Sequence, residues 1–171
     1  MEINGFPNER KKMTTYYSTT ETAKLVRKVL KAKFPTTKFS VRSSIYAGGS
    51  SISVTWTDGP SKKEIDSVVK FYEGAEFDGM IDMKSYVSQI MILEGESFPT
   101  EVRFGADFVF TYREMSAEFK ASLIKKFEQI AGTKYDDNTM YPTIEFGYYQ
   151  MPQMYGCQII NYMFHDEKVG A

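Results

Sequence analysis

Four cations in one short stretch are the first residues with evident chemistry. Lys24, Arg27, Lys28 and Lys31 fall at i, i+3, i+4 and i+7, a spacing that lines their side chains along one face of a helix. Such a stripe neutralises phosphates or carboxylates, and it is equally the ordinary solvated face of an amphipathic helix. A second group follows in residues 39–61, FSVRSSIYAGGSSISVTWTDGPS. Arg42 stands there among Ser and Thr hydroxyls, Gly48 and Gly49 let the chain reverse, and Tyr46 beside them offers a ring for stacking on a base. Lys62 and Lys63 come directly after. Hydroxyls and the N–H groups of a Gly-rich turn hydrogen-bond anionic oxygens, so these residues describe a surface for an anionic partner or nucleic acid.

Catalytic patterns are thinner. Asp78 and Asp82 bracket Gly79-Met80-Ile81, with Glu73, Glu76 and Asp107 as candidate neighbours. Grouped carboxylates bind a divalent cation or work as an acid–base pair. The simpler reading is a turn, with Asp82 as the N-cap of a helix from Met83. The sole histidine, His165, lies six residues from the end of the sequence. Cys157 has no His or Lys close in sequence and is expected as a buried thiol at the start of an apolar strand. There is no Cys-x-x-Cys, His-Glu-x-x-His, P-loop or dinucleotide fingerprint. The expectation is a chain that is not an enzyme and uses no metal or cofactor.

The 171 residues suit one compact domain or two small halves. Thirteen Phe and 12 Tyr give a high aromatic share, which supplies buried area and often marks interfaces. Residues 1–72 hold 13 Lys and Arg against six Asp and Glu, a net +7, while residues 73–171 hold eight against 16, a net −8. The halves either attract each other or present a basic face to an anionic partner, although a pI near 5.9 is low for a dedicated nucleic-acid domain. A single cysteine, no long apolar run and no secretory leader at the N-terminus lead to the expectation of a cytoplasmic protein that does not enter a membrane.

The elements that must position these residues follow from pattern. Residues 1–15 read as a loose arm. Ser18 and Glu21 have capping-box spacing, and a helix is expected over 20–34, with Leu25, Val26, Val29, Leu30 and Phe34 buried. Phe39 and Val41, then Ile52, Val54 and Trp56, alternate with polar residues in a hairpin of two strands. Ser61 and Glu64 cap a second helix over 62–73, with Gly74 as its stop. Residues 77–95 read as a turn, an irregular or helical segment and a strand at SQIMIL. Val102, Phe104, Ala106, Phe108, Phe110 and Tyr112 alternate as one strand. A third helix over 116–131 is capped by Ser116 and stopped by Gly132. Residues 141–149 and 156–164 read as a final strand pair. Tyr141, Tyr148, Tyr149, Tyr155 and Tyr162, with Met140, Met151, Met154 and Met163, crowd this quarter and suit a protein interface, although alternate members should be core.

Together these give an α+β fold, a largely antiparallel sheet with helices packed on it, ordered α-β-β-α and then β-α-β-β. The run ETAKLVRKVLKAKFPTTKFSVRSSIYAGGSSISVTWTDGPSKKEI, with FDGMIDMKSY and VRFGADFVFTYREMS, resembles a large polyvalent protein-associated domain over about residues 17–116. KFSVRSS, the Gly-Gly-Ser-Ser turn, the Trp-Thr-Asp-Gly-Pro-Ser turn and Phe-Asp-Gly-Met are its most distinctive pieces. The resemblance implies a cytoplasmic role for a bacteriophage or conjugative element, such as countering host defence or handling incoming DNA, and it carries no catalytic assignment. On this reading a polar arm (1–16) precedes the α+β domain (17–116), and a C-terminal α-β-β extension (117–171) packs on the same fold. The leading expectation is a binding protein that contacts a host or defence protein. The runner-up is direct nucleic-acid binding through the basic helix and hairpin, and a third class is a carboxylate-dependent hydrolase around Asp78 and Asp82.

Overall fold

A computed structural model describes residues 14–146 and 149–165. In chain order the elements are β1 (Thr15–Tyr17), α1 (Thr19–Lys33), β2 (Ser40–Tyr46), β3 (Gly49–Thr57) and α2 (Lys62–Val69), which tightens into a 3-10 turn at Lys70–Tyr72. Then come β4 (Ala75–Asp78), β5 (Met83–Tyr86), β6 (Gln89–Ile92), β7 (Pro99–Phe104), β8 (Phe108–Glu114) and α3 (Ala117–Ala131). The chain closes with β9 (Met140–Tyr141), β10 (Ile144–Phe146), β11 (Tyr149–Met151), β12 (Met154–Tyr155) and α4 (Gly156–His165). The class is α+β, as the pattern predicts. The strands form several small sheets rather than one: β1-β7-β6, β2-β3-β8, and the pairs β4-β5, β10-β11 and β12-β9. The register is antiparallel in β4-β5, β6-β7, β10-β11 and β9-β12, and parallel between β1 and β7.

The helix starts follow the local code. The Ser18 N–H and hydroxyl both donate to Glu21 Oε2, at 2.8 and 2.6 Å, and the Ser61 N–H and hydroxyl do the same to Glu64 Oε2, both at 2.8 Å. These hydrogen bonds, Ser18's first, and Ser61's backbone before its hydroxyl for Glu64, hold both carboxyls below the usual range. Ser116 caps α3 by accepting from the Phe119 N–H, and Gly132 closes it in the left-handed region.

The chain divides into two compact units. The first comprises Met1–Val29, Val41–Ser53 and Val69–Phe110. Its buried side chains include Ala23, Val26, Val41, Ile52, Val69, Val102, Phe104 and Val109, and Tyr17, Phe71 and Tyr72 ring Phe104 at 5.2 to 6.0 Å. The second comprises Leu30–Ser40, Val54–Val68 and Thr111–Ala171. Leu30, Val54, Trp56 and Ile65 are buried in it, and α3 and α4 enclose Leu123, Phe127, Tyr141, Met151, Ile159, Ile160, Met163 and Phe164.

Six expectations are corrected. Residues 83–86 are a strand paired antiparallel with β4, so Asp82 caps no helix and instead sits in the turn at φ 52°. The single strand expected over 102–112 breaks at Gly105. Ala106 and Asp107 are consecutive buried residues, so the inward phase passes to Asp107, Val109 and Thr111 and leaves Phe110 and Tyr112 exposed. Gly74 is not a left-handed helix stop. Glu73 ends the 3-10 turn in extended backbone, and Gly74 is needed because a Cβ there would lie 1.9 Å from the Phe104 carbonyl oxygen. Residues 156–164 are helix α4 rather than a strand, because Gly156, Ile159, Ile160, Met163 and Phe164 bury one helical face. Cys157 therefore lies on the outer side of α4 and is exposed, not buried. Residue 15 begins β1 rather than ending the arm, and residues 1–13 lie outside the described residues.

Candidate functional site

The break at Gly105 shapes the site. A Cβ at this position would stand 2.6 Å from Tyr16 Oη and 2.9 Å from Thr19 N and Tyr17 O, so only glycine lets β7 turn this close to the start of α1. Gly105 donates its N–H to the Tyr17 carbonyl and accepts from the Thr19 and Ser50 hydroxyls. Two residues on, Asp107 accepts from the Ser50 N–H at 3.1 Å and from Lys84 Nζ at 3.0 Å. Lys84 also donates to the Gly48 carbonyl at 3.0 Å and lies 5.1 Å from the centre of the Tyr86 ring. The hydrogen bond to Asp107 is the largest of the effects that raise the Lys84 ammonium above its usual range. Asp107 is nearly buried, and its charge is answered in place by Lys84.

Above this frame lies an open cleft of about 760 Å³, wholly within the first unit. Its walls carry three tyrosines from three strands: Tyr16 of β1, Tyr46 of β2 and Tyr86 of β5. All three are exposed, at 66, 50 and 71 %. Tyr16 pairs with Arg103 in the parallel β1-β7 register, which sets both side chains on the same outer face. Arg103 lines the cleft, exposed, and among the described residues its side chain makes no hydrogen bond or ion pair.

Beside it, β4 and β5 form a hairpin whose tip is apolar. Phe77, Met80, Ile81 and Met83 are 57, 95, 61 and 54 % exposed, and Glu76, Asp78 and Asp82 neighbour them in sequence, Asp78 paired with Met83 in the register and Phe77 with Lys84. Asp78 Oδ1 accepts the Met80 N–H at 2.9 Å, which spends this carboxylate on its own turn.

The residues singled out from sequence land unevenly. Tyr46, Gly48 and Gly49 line the cleft. Lys24, Arg27, Lys28 and Lys31 are exposed along α1, but Arg27 donates to the Val41 carbonyl at 2.6 Å and Lys28 pairs with Glu94 at 2.6 Å. Arg42 is exposed on β2. Lys62 bonds Asp66 and the Thr111 hydroxyl in the second unit, and Lys63 is exposed on α2. Glu73 accepts the Val109 N–H and pairs with Lys70, away from any partnership with Asp78 or Asp82. Among the described residues no group of three or more His, Cys, Asp or Glu side chains is arranged to hold a metal ion. The hydroxyls opposite the hairpin's apolar face are less open than expected, since Ser50 and Ser51 are buried and Ser53 and Thr55 half-buried. In the last quarter Tyr141, Met151 and Met163 are core, Met154 and Tyr162 pack against it, and Met140 and Tyr155 are exposed. Tyr148 and the Tyr149 side chain lie outside the described residues. Arg103, Lys84, Tyr86 and Tyr16 were missed from sequence, because Tyr16 and Arg103 meet only through the long-range β1-β7 pairing and Lys84 and Tyr86 lie on a hairpin whose sequence does not read as one.

The family profile described as large polyvalent protein associated domain 29 matches residues 17–116. The chain belongs to this family. The domain segment contains the β4-β5 hairpin and every cleft residue except Tyr16, whereas α3 and α4 follow it. No curated protein and no solved structure matches the chain significantly. No helix among the described residues is long and apolar enough to cross a membrane.

Proposed function

We propose that this polyvalent protein associated domain is a non-enzymatic binding module of a bacteriophage or conjugative element, acting in the cytoplasm by docking on a host or defence protein. The observation that carries this reading is the β4-β5 hairpin. Met80 and Ile81 stand in water at its turn, with Met83 exposed on one face and Phe77 on the other, and each is worth about 1.5–3 kcal/mol on full burial. Contiguous exposed apolar patches mark interaction sites. The acidic rim of Glu76, Asp78 and Asp82 selects the partner chemistry: an apolar pocket bordered by Lys and Arg. The same rim repels anionic lipid and phosphate, so it argues against a membrane or a nucleic-acid backbone at this face. Direct nucleic-acid binding through the α1 stripe and the β2-β3 hairpin is the weaker reading, since Arg27 and Lys28 are already engaged within the fold.

The test is affinity capture from a bacterial lysate with the unaltered chain and with a Met80→Asp, Ile81→Asp double variant. A protein retained by the first and lost by the second supports docking through the hairpin. Equal retention by both, or capture of nothing, contradicts it.

A further inference from the structure

Beyond docking through the hairpin, we propose that the tyrosine cleft is a second site, one that binds a nucleotide through base stacking and a phosphate contact at Arg103. Its volume, about 760 Å³, falls within the roughly 300–1,000 Å³ of small-ligand sites. Three phenol rings from β1, β2 and β5 converge on it while remaining half or more exposed. Among the described residues none of the three is in ring contact with another aromatic, although ring pairs are frequent elsewhere in the chain. Unstacked, solvent-facing rings around a cavity are platforms for a planar apolar ligand, and a base fits any of them because every base has a π-face.

Charge narrows the ligand further. Asp107 is the carboxylate in the lining, and Lys84 answers it at 3.0 Å. Among the described residues the Arg103 side chain has no such ion pair, so the cleft lining carries one cation without a carboxylate partner there, beside the Tyr16 ring. A guanidinium presents a planar fork that matches two phosphate oxygens. Aromatic plates with one free arginine therefore suit a base joined to a phosphate. Lys84 does not compete for that phosphate, since its ammonium is held by Asp107 and the Gly48 carbonyl. The same chemistry is offered by a free mononucleotide and by one unit of a single strand. The hairpin tip is not part of this site, and the Met80→Asp, Ile81→Asp variant should leave it unchanged.

The experiment is calorimetric titration of the full chain with dAMP, deoxyadenosine and a six-residue deoxyadenylate strand. Saturable binding of dAMP is expected. Arg103→Gln should weaken dAMP by about tenfold, the loss of one charged hydrogen-bonded contact, and leave deoxyadenosine unchanged. Tyr86→Ala should weaken both by about fivefold or more, as expected for a lost stacking platform. Both residues are exposed, and unchanged melting curves would show that each variant is folded. A strand that binds tighter than dAMP identifies single-stranded nucleic acid as the source, and equal affinities identify the mononucleotide. No saturation with dAMP or the strand, or affinities untouched by both substitutions, would overturn the assignment.

Discussion

Two arginines, one in each unit, show how differently the same side chain is used. Arg113 of β8 donates to the carbonyls of Asp58, Gly59 and Phe164, and its guanidinium lies 4.1 Å from the centre of the Phe164 ring and 5.8 Å from that of Phe119. Burial is the main cause of its lowered pKa, only partly opposed by Asp58 and Glu64. Its donors are spent on the fold. Arg103 of β7 stands exposed in the cleft beside Tyr16, its side chain with no hydrogen bond or ion pair among the described residues. A clamp that satisfies main-chain carbonyls specifies structure, whereas a cation left open among exposed rings is available to something outside the chain. The hairpin extends the contrast, because the apolar side chains of the second unit's cluster are enclosed while Phe77, Met80, Ile81 and Met83 are not.

The comparison can be broken first at the clamp. Arg113→Ala should cost about 3 kcal/mol, since three carbonyls lose a charged donor and Phe164 loses its cover. For a chain of this size that lowers Tm by about 6–12 °C in scanning calorimetry. Arg113→Lys should recover little, because an ammonium cannot fork to three acceptors. A Tm within a degree or two of the unaltered chain would show that the clamp is dispensable.

A smaller effect is expected at Lys84→Met, which leaves Asp107 nearly buried without its counter-charge and frees the Gly48 turn. Tm should fall by less than for Arg113→Ala, and tyrosine fluorescence should change as Tyr86 loses its neighbouring cation. An unchanged Tm would mean that the pair contributes nothing to the frame.

The smallest effects should appear on acidification. The His165 imidazole is held below its ordinary 6.5, by burial first and then by Arg113 and Lys62. The unfolded chain therefore takes up this proton first, and stability present above pH 6.5 is lost as pH falls through the lower folded value. Glu64, depressed below 4.5 by Ser61, adds a second loss at lower pH. Urea unfolding across pH 3–8 should show both limbs, and His165→Gln should abolish the upper one alone. A stability profile flat from pH 7 to 5 in the unaltered chain would contradict the sign given for His165.

Features written in adjacent residues were legible from sequence. Ser18 with Glu21, Ser61 with Glu64, and Ser116 with Gly132 marked helix ends correctly, because a cap needs no residue more than a turn away. Trp56, Val54 and Ile52 revealed their buried face through simple alternation. The β7-β8 break was hidden, because the shift of phase at Ala106 and Asp107 depends on the distant Gly74 N–H and Ser50 carbonyl. Helix α4 was misread although its signal was present: Ile159, Ile160, Met163 and Phe164 repeat at three and four, and their apolarity invited a strand assignment. Of the cleft, only Tyr46, Gly48 and Gly49 could be picked out, since they sit on a recognisable turn. Arg103 reaches the site through its pairing with the distant Tyr16, which no local pattern encodes, and Tyr86 through a hairpin in a segment whose pattern reads as a turn and a helical stretch.

The most direct test of the division between holding the fold and meeting a partner is one pair of readings on the Met80→Asp, Ile81→Asp variant. Its melting curve is measured beside that of the unaltered chain, and its capture of lysate proteins is compared in the same preparation. The expected result is a Tm within a degree or two of the unaltered chain together with loss of the captured protein. A fall in Tm as large as that of Arg113→Ala would make the hairpin tip part of the fold's own core, and an unchanged capture would remove it from the interface.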